Sequence, residues 1–497
     1  MNLKSLLIAI CLLHALCMQQ VIAQGVNNNW LGGYQSSAGP PNGGVDIDFQ
    51  SGSREVSYAE RAIGFFRSNA NISDLDGTVI LSSNACFMGN ALGDTLLNGA
   101  GLSPGFYTDL YPDGIFLPQP VLLLPKPGSS HTYLLFHGTL DDGPNSTAEY
   151  LYLTTIDMNG DSGLGEAISK NEILVEDVLN EGKITAVRHA NGRDWWVFCH
   201  KANTNIYHRL LVTPHGVSID GTQAIGIVRP ADAGQVCFSP DGTKFAYYWG
   251  VHDLEVFNFD RCTGLFSDPV FIPINDMNAV GGVAFSPNSR FLYVPSLNDF
   301  YQFDTDAADI PASMVHLGTW DGFYSPFEPF ATAFDIAQLA PDGKIYISTG
   351  NSTFHLHVIH DPDQPGLACN LEQHGVELER WFSNSLPNHP NYHLGPIDGS
   401  VCDSLGINVS VAEQHIQEEL QVFPNPTLGN FQVSYSAHAT VGVLTVLDAH
   451  GKVVYQHRIP QWSTVHALQL AEQAPGMYHC RLVWGNEQLT SRIVVQE

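Results

Sequence analysis

Phe238-Ser239-Pro240-Asp241-Gly242 leads into the run Thr243-Lys244-Phe245-Ala246-Tyr247-Tyr248, and the pattern returns twice. Phe285-Ser286-Pro287-Asn288-Ser289 leads into Arg290-Phe291-Leu292-Tyr293-Val294, and Leu339-Ala340-Pro341-Asp342-Gly343 into Lys344-Ile345-Tyr346-Ile347-Ser348. In each copy Pro presets φ for the first corner of a turn, and Asp-Gly or Asn-Ser tolerates the left-handed backbone that reverses the chain. The run after each turn is aromatic and β-branched, the composition of a buried strand. Strand, tight turn and strand recurring at about 50 residues is the pattern of propeller blades. Stretch 24–402 then holds seven or eight blades, and seven is favoured. The rival, unrelated hairpins of a β-sandwich, explains the regular spacing less well.

Composition agrees with an all-β protein. The chain has 497 residues with 46 Gly, 29 Pro, 26 Phe, 18 Tyr and 8 Trp, and helical periodicity is scarce. Fifty acidic residues against 21 basic ones give a net charge of −29. Phosphate backbones need clustered Lys and Arg, so nucleic acid is excluded as the main partner. With only 14% charged and 44% hydrophobic residues, the chain is no disordered acidic tail.

The first residues predict a signal peptide, 1–23. Lys4 precedes an apolar run from Leu6 to Leu16, and Val21-Ile22-Ala23 places modest side chains where a signal peptidase reads, so cleavage between Ala23 and Gln24 is expected. A lipoprotein signal at Cys17 is disfavoured by Leu16 before it. The run is too short to span a bilayer, which takes about 20 residues, and no later stretch is long and apolar enough. Seven cysteines remain after cleavage, an odd number that leaves at least one thiol unpaired. Cys199, Cys237 and Cys480 lie in apolar strand-like runs and read as buried thiols. Cys369 and Cys402, in irregular polar sequence, are the disulfide candidates.

Charge divides the mature chain. Segment 24–402 carries 16 basic and 42 acidic residues, whereas 421–497 carries four of each. Between them, 403–420 is polar, has no basic residue and shows no periodicity, so it reads as a linker. Beyond it Phe431, Val433 and Tyr435 alternate with polar residues, as do Tyr478, Cys480, Leu482 and Trp484, and Gly485-Asn486 suits a turn. These alternations predict a small β-sandwich.

The C-terminal stretches VFPNPTLGNF (422–431), LDAHGKVVY (447–455), APGMYHCRLVWG (474–485) and TSRIVV (490–495) resemble the type A sorting domain of type IX secretion in Bacteroidota. The resemblance implies an Ig-like sandwich that directs transport across the outer membrane. It implies type IX machinery as partner, removal of the domain, and release or surface attachment of the cargo. The matching positions are Pro424, Asn425, Pro426, Gly429, Gly451, Pro475, Gly476 and Tyr478. Departures are His450, His479 and a terminal Glu497. The larger body, with IDFQ (47–50), KITAVRHANGRDWWVF (183–198) and SLPNHPNYHLG (385–395) among its stretches, resembles secreted Bacteroidota proteins that carry a propeller-like region before such a domain. That resemblance implies architecture and route and leaves the ligand open.

Four constellations invite chemical readings. His189, Arg193 and Asp194 beside Trp195-Trp196 are candidate ligand residues, with His189 as a base oriented by Asp194 and Arg193 as a carboxylate binder. The structural alternative, an Asn-Gly turn with an Arg–Asp pair, is favoured. His355 and His357 share a strand face and would need a third ligand to hold a metal. Asp157 to Gly163 has alternating oxygens like a calcium loop, but Ser162 replaces the expected Gly and Ile168 the final Glu, so a solvated turn is favoured. Gly101-Leu102-Ser103-Pro104-Gly105 spells a nucleophile elbow, yet Pro104 has no N–H for an oxyanion hole. No metal and no cofactor is therefore expected. The sequence favours a surface or secreted binding module with a possible glycan or other surface ligand. The alternative is a hydrolase or lyase acting on a glycan or lactone in the central funnel.

Overall fold

The computed structural model describes residues 25–141, 147–274, 281–403, 420–435, 440–460, 465–470, 474–485 and 487–496. The chain divides into two compact units, 1–404 and 405–497. The signal segment, Asn486 and nearly all of 403–420 lie outside the described residues.

The larger unit is a seven-bladed β-propeller. Blade 1 has three antiparallel strands (Asn29–Gly33, Gly44–Asp48, Glu55–Ala59), and the other six have four each. The innermost strands of blades 2 to 7 are Ala70–Ser73, Val121–Pro125, Thr185–Arg188, Gln235–Phe238, Ala284–Phe285 and Phe334–Leu339. Blade 5 continues outward through Lys244–Trp249, Asp253–Asp260 and Leu265–Ile272, and the others follow the same order.

Alternation along each strand feeds two interfaces at once. In blade 5, Phe245 and Tyr247 pack with Trp196, Phe198 and Tyr207 of blade 4. The intervening Ala246 and Tyr248 pack with Leu292, Val294 and Phe303 of blade 6. Tyr293 and Phe300 of blade 6 meet Ile345 and Ile347 of blade 7. The ring closes where Tyr346, Leu356 and Val358 of blade 7 bury Trp30, Val45 and Ile47 of blade 1. Because both faces are covered, these strands are continuously apolar, and closure protects the sheet edges.

The repeated pentapeptides join the first and second strands of blades 5, 6 and 7. Gly242 N–H donates to the Ser239 carbonyl at 2.8 Å with φ 72°, Ser289 N–H to Ser286 at 2.9 Å with φ 63°, and Gly343 N–H to Ala340 at 3.0 Å with φ 77°. The same turn recurs in blade 2 at Asp74–Gly77 and in blade 4 at His189–Gly192, where the sequence hides it. A Cβ on Gly343 meets nothing within 4 Å, whereas one on Gly242 lies 2.8 Å from Arg261 and Leu394. Gly343→Val is therefore expected to cost about 1–3 kcal/mol through backbone strain, and Gly242→Val about 1–3 kcal/mol more through overpacking. Urea denaturation of the mature protein checks the order. Parental stability in both variants would overturn the turn assignment.

Cys402 pairs with Cys262, Cα atoms 5.6 Å apart, across a sequence separation of 140. This corrects the expectation that Cys369 was its partner: Cys369 is a buried free thiol. Cys262 sits in the outer turn of blade 5, a place that local composition does not mark. Cys199 and Cys480 are buried free thiols and Cys237 is partly buried.

The smaller unit has two sheets, Gln421–Phe423 with Asn430–Ser434 and Val465–Gln469, and a second in the order Val453–Ile459, Gly442–Leu447, Gly476–Trp484, Glu487–Val495. Phe431, Val433 and Tyr435 from one sheet and Tyr478, Cys480, Leu482 and Trp484 from the other are all buried in one core. Gly485, with φ 52°, starts the turn between the last two strands.

Candidate functional site

Inner strands of a propeller leave one edge of backbone groups facing the channel, and buried groups of that kind need partners. After the last strand of blade 7, residues 383–393 supply them. Asn388 donates its two amide hydrogens to the carbonyls of Val121 (2.9 Å) and Ile184 (2.8 Å), and its backbone N–H to Asn69. His389 Nε2 donates to the Asn71 carbonyl at 2.7 Å, Asn391 to Pro240 at 2.7 Å, and the Tyr392 hydroxyl to Leu123 at 2.8 Å. Two glutamines extend the closure. Gln119 pairs with both backbone groups of Val236, while Gln235 accepts from Val283 and Ala337 and donates to the Ala337 carbonyl. A side-chain amide matches a peptide group in donor and acceptor, so each glutamine acts as a short rung between blades.

A cavity of about 220 Å³ remains against this plug. Its lining combines hydroxyls (Thr185, Ser239), amides (Gln119, Gln338, Asn388, Asn391), imidazoles (His389, His393), the Cys237 thiol and the rings of Phe238 and Phe285. Among the described residues no Asp, Glu, Lys or Arg lines it. Burial pushes His389 down to about 4, only partly offset by its bond to Asn71, so the ring is neutral at pH 7. Burial lifts the Cys237 thiol above its ordinary value. Such a lining offers hydrogen-bond donors, acceptors and ring faces and no fixed charge among the described residues.

Charged groups gather near the opposite end of the inner strands, and three buried pairs form there. Arg67 bonds Asp335 at 3.1 Å, with Asn384 on the second oxygen at 2.9 Å. Lys183 pairs with Asp232, which also accepts from Tyr247 (2.6 Å) and Asn180 (3.0 Å). Arg229 lies 3.6 Å from Glu255. Lys183, buried, is drawn down to about 8 by desolvation against the opposing pull of Asp232.

The candidate ligand residues form the blade 4 turn. Asp194 accepts from Arg193 Nε at 2.8 Å and from Asn191 at 2.9 Å, while His189 Nδ1 accepts from the Asn191 backbone at 3.1 Å. The Asp194 carboxylate thus holds Arg193 and Asn191, and His189 meets Asp194 only through its backbone N–H, which donates to the Asp194 carbonyl at 2.9 Å. His357 has both ring nitrogens engaged, one with the Thr332 carbonyl (2.8 Å) and one with the His374 N–H (2.9 Å). It therefore has no lone pair for the metal that pairing with His355 suggested. No group of three potential metal ligands occurs among the described residues. Asp157 caps its own turn, accepting from the Asn159 N–H.

Ser103 is less plain than a turn residue. It has φ 46°, precedes the short helix Phe106–Leu110, and its hydroxyl is 2.8 Å from His137 Nδ1. His137 Nε2 is held by Thr154 at 2.9 Å, and both Ser103 and His137 are fully buried. No substrate reaches this relay.

In the C-terminal unit the motif residues fasten the chain to its last strand. Asn425 donates to the Arg492 carbonyl (2.7 Å) and accepts from the Val494 N–H (2.9 Å). Gly429, φ 100°, gives its carbonyl to Leu470 N–H, and Gly451, φ 81°, closes the Asp448 turn. The Tyr478 hydroxyl donates to the Ala474 carbonyl at 2.7 Å, just before Pro475 and Gly476. Pro424, Pro426 and Pro475 are exposed, as are Phe423 and Leu428 at 78% and 77%.

What sequence reasoning missed is the plug. Its signal was present in Ser385–Gly395, a run of Asn, His and Pro with no strand alternation after the last blade.

No curated protein matches the chain. Among solved structures, a protein from Lactobacillus plantarum is 12% identical, covering 73% of this chain and 99% of that one, with a TM-score of 0.44. A putative 6-phosphogluconolactonase from Bacteroides fragilis is 12% identical over 74% of this chain and 98% of its own, at 0.43. The Dos1 propeller is 11% identical over 62% and 73%, at 0.35. Among the described residues no helix is long and apolar enough to cross a membrane. The family of secretion system C-terminal sorting domains matches residues 421–496, and the chain therefore carries, behind its propeller, a sorting domain that marks it for export by type IX secretion.

Proposed function

We propose that this protein is an exported binding module, led out of the cytoplasm by segment 1–23 and carried across the outer membrane by its sorting domain. The propeller travels as folded cargo and recognises a neutral ligand outside the cell, released or held at the surface. One observation carries the reading: Arg67–Asp335 and Lys183–Asp232 are buried as ion pairs, while the channel cavity offers amides, hydroxyls and aromatic faces. A site of that lining holds a ligand by shape and hydrogen bonds.

Routing and binding are tested separately. Without 421–497 the propeller should accumulate folded in the periplasm of a host with this secretion system. With it, the propeller should appear outside, shortened within about 403–421 and beginning at Gln24. Equal export of both forms would overturn the routing. For binding, the purified mature protein is screened against arrayed glycans, peptides and envelope extracts. Saturable binding supports the module, and turnover of lactone or glycoside substrates overturns it.

A further inference from the structure

The channel cavity lies at the blade end that carries the turns between first and second strands, Ser239-Pro240 and Ala340-Pro341 among its lining. A second cavity, about 390 Å³, lies at the other end of blades 6 and 7. Leu297-Asn298 and Asn351 come from the turns between second and third strands, which an antiparallel blade places opposite the first turns. Trp320, Tyr324 and Glu328 come from the segment connecting blade 6 to blade 7.

That segment is a built element. Tyr324 pairs with Ala331, Ser325 N–H donates to the Phe330 carbonyl at 2.9 Å, and Thr332 N–H to Phe323 at 3.1 Å. Trp320 is fixed at both ends: its backbone N–H donates to Asn298 at 2.7 Å, and its indole N–H to the Thr332 hydroxyl at 3.2 Å. Its ring stands edge-on to Tyr324, centroids 5.4 Å apart at 77°. Asn351 spends one amide hydrogen on the Ala331 carbonyl, 3.1 Å away. The Glu328 carboxylate and the Asn298 side chain have no partner among the described residues. A held indole, a phenol across from it, one free carboxylate and two amides therefore share one groove.

We infer that this groove binds a neutral pyranose residue of a glycan, an inference that rests on the reading of the propeller as a binding module. A pyranose presents an apolar C–H face and a rim of hydroxyls. The Trp320 ring covers the first without rotamer loss, since its position is already fixed. Glu328 accepts from paired hydroxyls through a charge-assisted bond, and Asn298 and Asn351 supply donor and acceptor together. A uronic acid or sulfated sugar is repelled, because among the described residues the only charge lining the groove is the Glu328 carboxylate. A quaternary ammonium would suit the rings and the carboxylate, but it has no use for the two amides.

The test titrates the mature protein and two variants, Trp320→Ala and Glu328→Gln, with neutral oligosaccharides, uronic-acid oligosaccharides and tetramethylammonium, read by calorimetry. Neutral sugars should bind the parent, and each substitution should weaken them at least tenfold. Trp320 also packs against the core between blades 6 and 7, so Trp320→Ala lowers the melting temperature, whereas Glu328→Gln, at an exposed position, leaves it unchanged. Sugar binding that persists in both variants overturns the groove and leaves the binding module standing. No neutral-sugar binding, or tetramethylammonium bound in preference to sugar, overturns the ligand class. The binding module itself is then judged by the broader screen above.

Discussion

Acidification from pH 7 to pH 4 is expected to unfold the propeller, with a midpoint near pH 5. Four buried histidines set this. Burial pushes His137, His200 and His357 down to about 3 and His389 down to about 4, whereas an unfolded histidine titrates near 6.5. As pH falls below that value the unfolded chain takes up protons that the folded one refuses. The stability present at neutral pH is therefore lost progressively until the folded values are reached. Each histidine contributes about 1.4 kcal/mol per pH unit, so four together approach roughly 5 kcal/mol per unit. Asp141, pushed up to about 6 by burial, works in the opposite direction because its folded form gains the proton first. Asp335, Glu181 and Glu255, also raised by burial, reinforce it. These offset part of the slope, and what remains over two units is of the same order as the about 5–15 kcal/mol that holds a domain together. Tryptophan fluorescence against pH measures the midpoint, and His357→Gln should make the slope shallower by about 1.4 kcal/mol per pH unit. A parent that stays folded at pH 4 would refute the account.

The second large effect lies between blades 4 and 5. Asp232→Ala should destabilise the propeller by about 3–5 kcal/mol, because it leaves the buried Lys183 ammonium without its counter-charge. The side chains of Lys183 and Asp232 are 1% and 0% exposed, so water cannot take over the role. Lys183 also sits 4.3 Å over the Tyr247 ring, which offers only partial compensation. The double variant Lys183→Met with Asp232→Leu removes both charges at similar volume, and its loss should be much smaller than that of either single change. Urea titration of the single and double variants decides this. A single variant within about 1 kcal/mol of the parent would show that the pair is not desolvated as described.

The sequence alone carried what repeats with an intact motif and what is local. The turn at Phe238–Gly242 names its own backbone conformation, because Pro restricts φ and Gly permits the positive value. Three such turns at a period near 50 then imply blades. Alternation at Phe431–Tyr435 and Tyr478–Trp484 foretold the faces that the small sandwich buries, and its motif stretches gave the sorting domain. Where a motif decayed, as in His189–Asp194, the residues read as chemistry even though the structure uses them for the same turn.

Only the tertiary structure decided which distant residues meet. Cys262 with Cys402, Ser103 with His137, Lys183 with Asp232, and Asn388 with blades 2, 3 and 4 are pairings of separate strands and loops. No period or spacing announces them, because the packing of neighbouring blades, and of the segment after blade 7 on them, brings them together. The groove of Trp320, Glu328, Asn298 and Asn351 has the same origin. Blade turns and the connection between blades 6 and 7 converge at one end because the two sheets pack face to face, a constraint that acts on the folded sheet assembly and leaves no pattern along the chain.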